Sequence, residues 1–281
     1  MLPLLLLFFA PDLSTRFAEL SRAAAGKVGV TAMVIETGDR TSFQGRDRFP
    51  MQSVYKFPIA MATLHLVDTG KLNLDQPVTI AKTELVPPEL HSPIRDQHPE
   101  GASLGLRDVI RFAVAESDGT ASDVLLRLCG GPAAVTTYLR GLGIHGVTVA
   151  TSELEMSRGP MVQYRNWATP DSMVDLLRAF HSGRGLSPTS HTLLEDFMAQ
   201  STPGPRRLKG LLPPGTRVAH KTGTSGTDGA LTRATNDVGI VTLPNGRHLA
   251  IAVFVSDSTA SLDLREDTIA KIARAAWDGL K

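Results

Sequence analysis

Strand signals sit at the two ends of this 281-residue chain, and a long helical block separates them. Near the start, VGVTAMVIET (28–37) is a β-branched apolar run, followed by a Gly-Asp turn and a second strand near TSFQG (41–45). Strands return only after 215, first as TRVAHKTG (216–223). NDVGIVTLPNGRHLAIAVFVSD (236–257) follows as a hairpin around Pro244-Asn245-Gly246. From about 53 to 199 the periodicity is mainly helical, in LRDVIRFAVAES (106–117), SDVLLRLCG (122–130) and PDSMVDLLRAFHSG (170–183), the last stopping at Gly183. Terminal helices bracket the whole: 13–25, with Phe17, Leu20 and Ala24 on one face, and 267–280, with Ile269, Ile272, Ala273, Ala276, Trp277 and Leu280 on one stripe.

Strands so placed are most simply joined as one antiparallel sheet made from both ends, with the terminal helices packed on it. This α/β (α+β) arrangement makes the helical block an inserted second domain. The expected boundaries are 11–47 and 200–281 for the discontinuous sheet domain and 48–199 for the helical one. A cleft between the two is the natural place for a site. At 42% hydrophobic the chain can bury a sizeable core. Residues 2–10 form an apolar run too short to span a bilayer. The run is similar to the core of a secretory signal, although no Lys or Arg precedes it. Residues 1–10 are therefore expected to be a signal remnant, and the protein to be exported, periplasmic or secreted.

Composition removes several function classes. The formal net charge is +1, from 29 basic and 28 acidic residues, and no basic run offers a nucleic-acid surface. Aromatics at 5% are too sparse for a base-stacking platform. The single cysteine, Cys129, excludes an internal disulfide and reads as a small core hydrophobe. His65, His98, His145, His181, His191 and His248 show no metal-ligand spacing, and no Walker loop or GxGxxG occurs. No metal, no cofactor and no nucleic-acid partner is expected, and composition itself leaves the oligomeric state open.

Three short motifs carry chemistry. In MQSVYKFP (51–58), Ser53 and Lys56 are three residues apart at the start of an apolar helix, so the amine can reach the hydroxyl. A serine hydroxyl becomes a nucleophile when a neighbouring base takes its proton. A lysine serves as that base where burial or nearby cations lower its pKa. Ser117-Asp118-Gly119 lies between two helical segments, and Lys221-Thr222-Gly223 ends a strand. Alone, Ser-x-x-Lys is a chance-level pattern. All three in order, on the expected helix, loop and strand, are not.

Ser-x-x-Lys, Ser-Asp-Asn and Lys-Thr-Gly, in that order, are the signature set of class A β-lactamases and penicillin-binding proteins. From about residue 15 to the C-terminus the chain resembles class A serine β-lactamases. VQYRNW (162–167), GPRRLKGLLPPGT (204–216), VAHKTGTSG (218–226) and ATNDVGIV (234–241) look most like the extended-spectrum, PER/VEB-type branch. The resemblance implies the two-domain serine β-lactamase/DD-peptidase-like fold. It implies a monomer acting on a small-molecule substrate, by hydrolysis of the β-lactam amide of penicillins and cephalosporins through an acyl-enzyme, and hence antibiotic resistance.

The same resemblance implies the residue roles. Ser53 would be the nucleophile, Lys56 a proton acceptor, and Ser117 the relay to the β-lactam nitrogen. Glu153, on an Ω-loop at about 148–168, would activate the deacylating water; Glu155 is the rival carboxylate. Lys221, Thr222, Gly223 and Thr224 would hold the substrate's carboxylate side, with Arg207 directed at it. The N–H groups of Ser53 and Thr224 would form the oxyanion hole. His91 is expected near the cleft entrance, and His220 in a structural role.

There are two departures. Gly119 replaces the family's Asn, whose amide contacts substrate and lysine. A lost polar contact of about 1–3 kcal/mol weakens acylamino substrates roughly tenfold to hundredfold. Ser157 replaces the Asn beside the deacylating water. A penicillin-binding protein or DD-peptidase shares the three motifs, and a catalytically impaired binding protein of this fold would carry both departures.

Overall fold

The computed structural model describes residues 12–281, so the signal expected at 1–10 lies outside the described residues. Its centre is a five-stranded sheet in the order Arg40–Phe43, Lys27–Val34, His248–Ser256, Thr235–Thr242, Val218–Thr224, every neighbour antiparallel. Strands from the two ends of the chain therefore pair, as the signal pattern requires. The first strand stops at Val34, three residues before its apolar run does. A turn closed by Gly38 N–H to Val34 O at 2.8 Å, with Gly38 at φ +78°, takes the chain back.

One sheet face carries the terminal helices Leu13–Ser21 and Leu262–Leu280. Phe17, Val30, Ile251, Ile269, Ile272 and Trp277 fill that layer. The C-terminal helix begins at Leu262, five residues before the expected 267, because the Ser261 hydroxyl accepts from Leu264 N–H and caps it. On the other face Phe49 stacks on Phe254 at 5.8 Å, and the helical part begins.

The helix Lys56–Asp68 runs through that part. Its residues from Lys56 to Leu64 are all buried, the pattern of a helix surrounded by others. Phe57 meets Phe180 edge-on at 5.4 Å, locking it to the helix Pro170–His181. Burying one such side chain contributes about 1.5–3 kcal/mol.

The block is less purely helical than its periodicity predicts. Pro77–Ala81 pairs with Gly101–Gly105, and Phe49–Pro50, Trp167–Ala168 and Val147–Thr148 form a small sheet. These strands are two to five residues long, and only Val78 and Ile80 show a buried alternation. The helix read as 106–117 ends at Ala115, and Ser117 adopts a left-handed φ of +61°. The next helix starts at Gly119, where the Asp118 carboxylate accepts from Ala121 N–H at 2.8 Å.

Candidate active site

Ser53 sits on a 3-10 turn, Gln52–Tyr55, that runs into the helix Lys56–Asp68. With three residues per turn, positions three apart eclipse, which stacks Ser53 and Lys56 more closely than an α-helix would. The turn is held from outside. Asn236 Nδ2, on a central strand, donates to Pro50 O at 2.8 Å and Met51 O at 3.1 Å, and Met51 N–H donates to Asn166 O at 2.9 Å. Gly223 presses against the same segment: a Cβ there would run into the Met51 carbonyl oxygen. Gln52 holds φ at +46°, a strained value for a non-glycine residue next to Ser53.

The two lysines converge on Ser117. Lys56, 1% exposed, donates from Nζ to Ser117 O at 2.7 Å. The same Nζ is 2.9 Å from Glu153 Oε1, close for an ion pair but without an aligned hydrogen bond. Lys221, fully buried, donates to Ser117 Oγ at 2.9 Å and to Thr222 O at 3.1 Å. Burial, and then the Lys56 charge, push the Lys221 ammonium well below its ordinary range, against the pull of Asp237 and Glu153. Beneath them Asp118 accepts from Ser92 Oγ, Ile94 N–H and Ala121 N–H, fixing the turn that carries Ser117.

Glu153 opens the short helix Glu153–Met156 and is buried. The two rival carboxylates differ in what they touch. Glu155 accepts from Thr151 Oγ1 at 2.7 Å and Ser152 N–H at 3.0 Å, and so closes a capping box rather than facing Lys56. Asn166 closes the neck of this loop: its Oδ1 accepts from Ala150 and Thr151 N–H, and its Nδ2 donates to Thr151 O.

These groups border a cleft of about 620 Å³ that includes Ser53, Lys56, Ser117, Glu153, Thr222 and Thr224. Arg207 reaches it indirectly. Its Nη2 donates to Thr224 Oγ1 at 2.8 Å, while Nε is 3.1 Å from Glu266 Oε1. His91 lines the cleft, exposed, with Nε2 2.9 Å from Glu116 O. Gly119 is buried, its N–H donating to His91 O at 2.9 Å. A Cβ there would lie 3.2 Å from His91 O, 3.4 Å from Val86 Cγ2 and 3.5 Å from Glu153 Cγ. His220 is buried against Asp237, with Nδ1 2.8 Å from Oδ1.

Ser157 departs from expectation. It is exposed, off the cleft lining, and its hydroxyl donates to Leu154 O at 2.8 Å, because the last turn of the short helix points it outward. Gln163 stands in the lining instead, its Oε1 accepting from Gln52 Nε2 at 2.7 Å. That bridge joins residues 111 apart, so no local pattern signals it.

A family model described as the beta-lactamase enzyme family matches residues 12–280. The extended-spectrum beta-lactamase PER-1 of Pseudomonas aeruginosa is 42% identical over 231 residues, 82% of this chain and 75% of that protein. Beta-lactamase VEB-1 of the same organism is 36% identical over 269 residues, 95% of this chain and 90% of that one. Among solved structures, a beta-lactamase from Chitinophaga pinensis superposes with a TM-score of 0.94 at 46% identity, covering 96% of this chain and 100% of that one. The TLA-1 extended-spectrum beta-lactamase gives 0.93 at 40% identity, covering 96% and 98%.

Proposed function

Because the chain belongs to the beta-lactamase enzyme family, we propose that it is a class A serine β-lactamase that hydrolyses the β-lactam amide through an acyl-enzyme on Ser53 and so confers antibiotic resistance. The observation that carries this reading is the position of Lys56 Nζ, 2.7 Å from Ser117 O and 2.9 Å from Glu153 Oε1, one turn from Ser53. Proton acceptor, relay and second base then belong to one buried network, with the half-buried Ser53 one turn away at its edge.

In this mechanism Ser53 Oγ attacks the β-lactam carbonyl and gives its proton to the Lys56–Glu153 pair. Ser117 Oγ, oriented by Lys221, delivers a proton to the ring nitrogen as the C–N bond breaks. The N–H groups of Ser53 and Thr224 stabilise the oxyanion, such donors contributing about 3 kcal/mol each. Thr222, Gly223, Thr224 and Arg207 bind the carboxylate side with Lys221. Glu153 then takes a proton from water, which attacks the ester and frees Ser53. A penicillin-binding protein stays acylated for want of such a base, so Glu153 is what separates hydrolase from trap. One chain supplies every group, so a monomer suffices. The enzyme acts outside the cytoplasmic membrane, in the periplasm or medium, a reading supported by the apolar run at 2–10.

The test is hydrolysis of a chromogenic cephalosporin by wild type and Glu153→Ala, with mass spectrometry of Ser53. Rapid turnover that collapses to a lasting acyl adduct in the variant is expected. Slow turnover indifferent to Glu153 indicates the penicillin-binding alternative. No adduct on Ser53 in either protein indicates an impaired binding protein.

A further inference from the structure

Three side chains remote in sequence meet away from the cleft. Glu36 lies in the turn after the strand Lys27–Val34, His248 begins the strand His248–Ser256, and His181 ends the helix Pro170–His181. Each offers one ligand atom, and these atoms lie within 4.8 Å of one another. His248 Nδ1 is 2.7 Å from Glu36 Oε1, and His248 N–H donates to Glu36 Oε2 at 2.9 Å. The two imidazole rings are 4.3 Å apart, tilted by 42°. None of the three lines the cleft, and the β-lactam chemistry uses none of them.

Two imidazoles and a carboxylate are the donor set that borderline divalent ions select, with a fourth position left for water. We propose that Glu36, His181 and His248 bind a divalent transition-metal ion of the zinc class. Metal–ligand distances near 2.0–2.2 Å in a tetrahedron separate the ligand atoms by about 3.3 Å. The His248–Glu36 contact has to open slightly and the two rings to draw in, which side-chain rotation allows at half-exposed positions. Glu195 lies within electrostatic range of His181 but is engaged by Arg217 at 3.5 Å, so it is a neighbour rather than a fourth ligand. The bound ion ties a strand end, a strand start and a helix end together. It is a structural staple, distinct from the reaction centre. The positions 36, 181 and 248 form no spaced motif, so only the tertiary fold brings the set together.

The test uses the full chain, stripped with chelator and titrated calorimetrically with zinc. One ion per chain is expected, with affinity falling at least tenfold in His181→Gln and in His248→Gln, less in Glu36→Gln, and not at all in His145→Gln, an exposed histidine elsewhere. Saturating zinc should raise the wild-type Tm by roughly 5 °C, and the His181→Gln/His248→Gln pair should lose that shift. Hydrolysis of the chromogenic cephalosporin should not change in these variants. In wild type, the ring protons of His181 and His248 should broaden or shift on adding zinc, a readout independent of how variants fold. No saturable binding at sub-millimolar zinc overturns the proposal, as does binding that survives the double variant or leaves those two rings unmoved.

Discussion

Asp123 grips Glu153 by its backbone: the Asp123 carboxylate accepts the N–H groups of Glu153 at 2.7 Å and Leu154 at 2.9 Å. An acid at the start of the helix Glu153–Met156 satisfies two free donors and suits the helix dipole. It also fixes where the Glu153 side chain begins. Burial, although one edge of the residue reaches solvent, pushes the Asp123 carboxyl up to about 7; the two N–H donors oppose that and the Glu153 charge adds to it.

That shift makes stability depend on pH. The folded protein keeps a proton on Asp123 that the unfolded chain releases near 3.8. The contribution is therefore full below about 4 and is lost as pH rises toward about 7. Asp123→Asn removes this titration, so its Tm should change less than that of wild type between pH 5 and pH 8. Its amide offers one acceptor oxygen for two N–H groups, and deacylation should slow about tenfold. Thermal melts at both pH values, and burst kinetics, check the two effects; a variant with the wild-type slope would place the titration elsewhere.

Gly119 is the second point of tension. Its φ is not left-handed, so the backbone does not demand glycine. A Cβ 3.2 Å from His91 O needs a small shift of that carbonyl, and the longer Asn side chain would extend toward the Lys56–Glu153 pair. Gly119→Asn should lower Tm by roughly 2–4 °C, the effect of about 1 kcal/mol in a chain of this size. It should raise kcat/KM for acylamino β-lactams about tenfold, through one recovered polar contact. Gly119→Ala should show the Tm loss without the kinetic gain. Equal kinetics for the two variants would mean that the amide finds no partner in the cleft.

The residues legible in sequence were those whose chemistry is written locally. Ser53 with Lys56, Ser117, and Lys221 with Thr222 belong to short motifs, and the apolar runs around 28–34 and 236–256 announce the sheet. What was not legible depends on partners far along the chain. Asp123 acts on a residue 30 positions away, Gln52 on one 111 away, and Asn236 on one 186 away. The strand Gly101–Gly105 carries no strand signal in sequence because it has two glycines and no buried alternation; its partner Pro77–Ala81 supplies the order. The family resemblance implies a place beside the deacylating water for Ser157, but the helix from Glu153 to Met156 is a single turn that ends by facing solvent.

Asn236 and Gly223 act as a pair on the segment before Ser53. Asn236→Ala leaves Pro50 O and Val255 N–H without their side-chain partner, at about 1–3 kcal/mol for each buried group left unpaired, while Met51 O keeps the Val54 N–H at 3.2 Å. Gly223→Ala forces a methyl into the Met51 carbonyl. Both should lower Tm by several degrees and slow acylation of Ser53 more than deacylation, since the turn bearing the proposed nucleophile moves while Glu153 keeps its own support. Single-turnover kinetics separate the steps, and a pure deacylation defect would contradict this division.

Lys221 links electrostatics to the alkaline limit of the enzyme. Its folded ammonium lies well below the ordinary value of 10.5, chiefly through burial and then the Lys56 charge. A lowered lysine pKa means that the unfolded chain binds the extra proton, so this site's contribution to stability is present above 10.5 and is lost as pH falls through the folded value. Function runs the other way. In the proposed mechanism the charged form attracts a substrate carboxylate and donates to Ser117 Oγ, so kcat/KM should fall as pH rises through the folded value, at a pH below 10.5. Lys221→Arg keeps a cation that does not titrate in this range. It should flatten the alkaline limb while lowering kcat/KM at neutral pH, because the guanidinium cannot reproduce a single short contact to Ser117. The pH profiles of kcat/KM for the two proteins decide it: an alkaline limb unchanged by Lys221→Arg assigns that ionisation to another group.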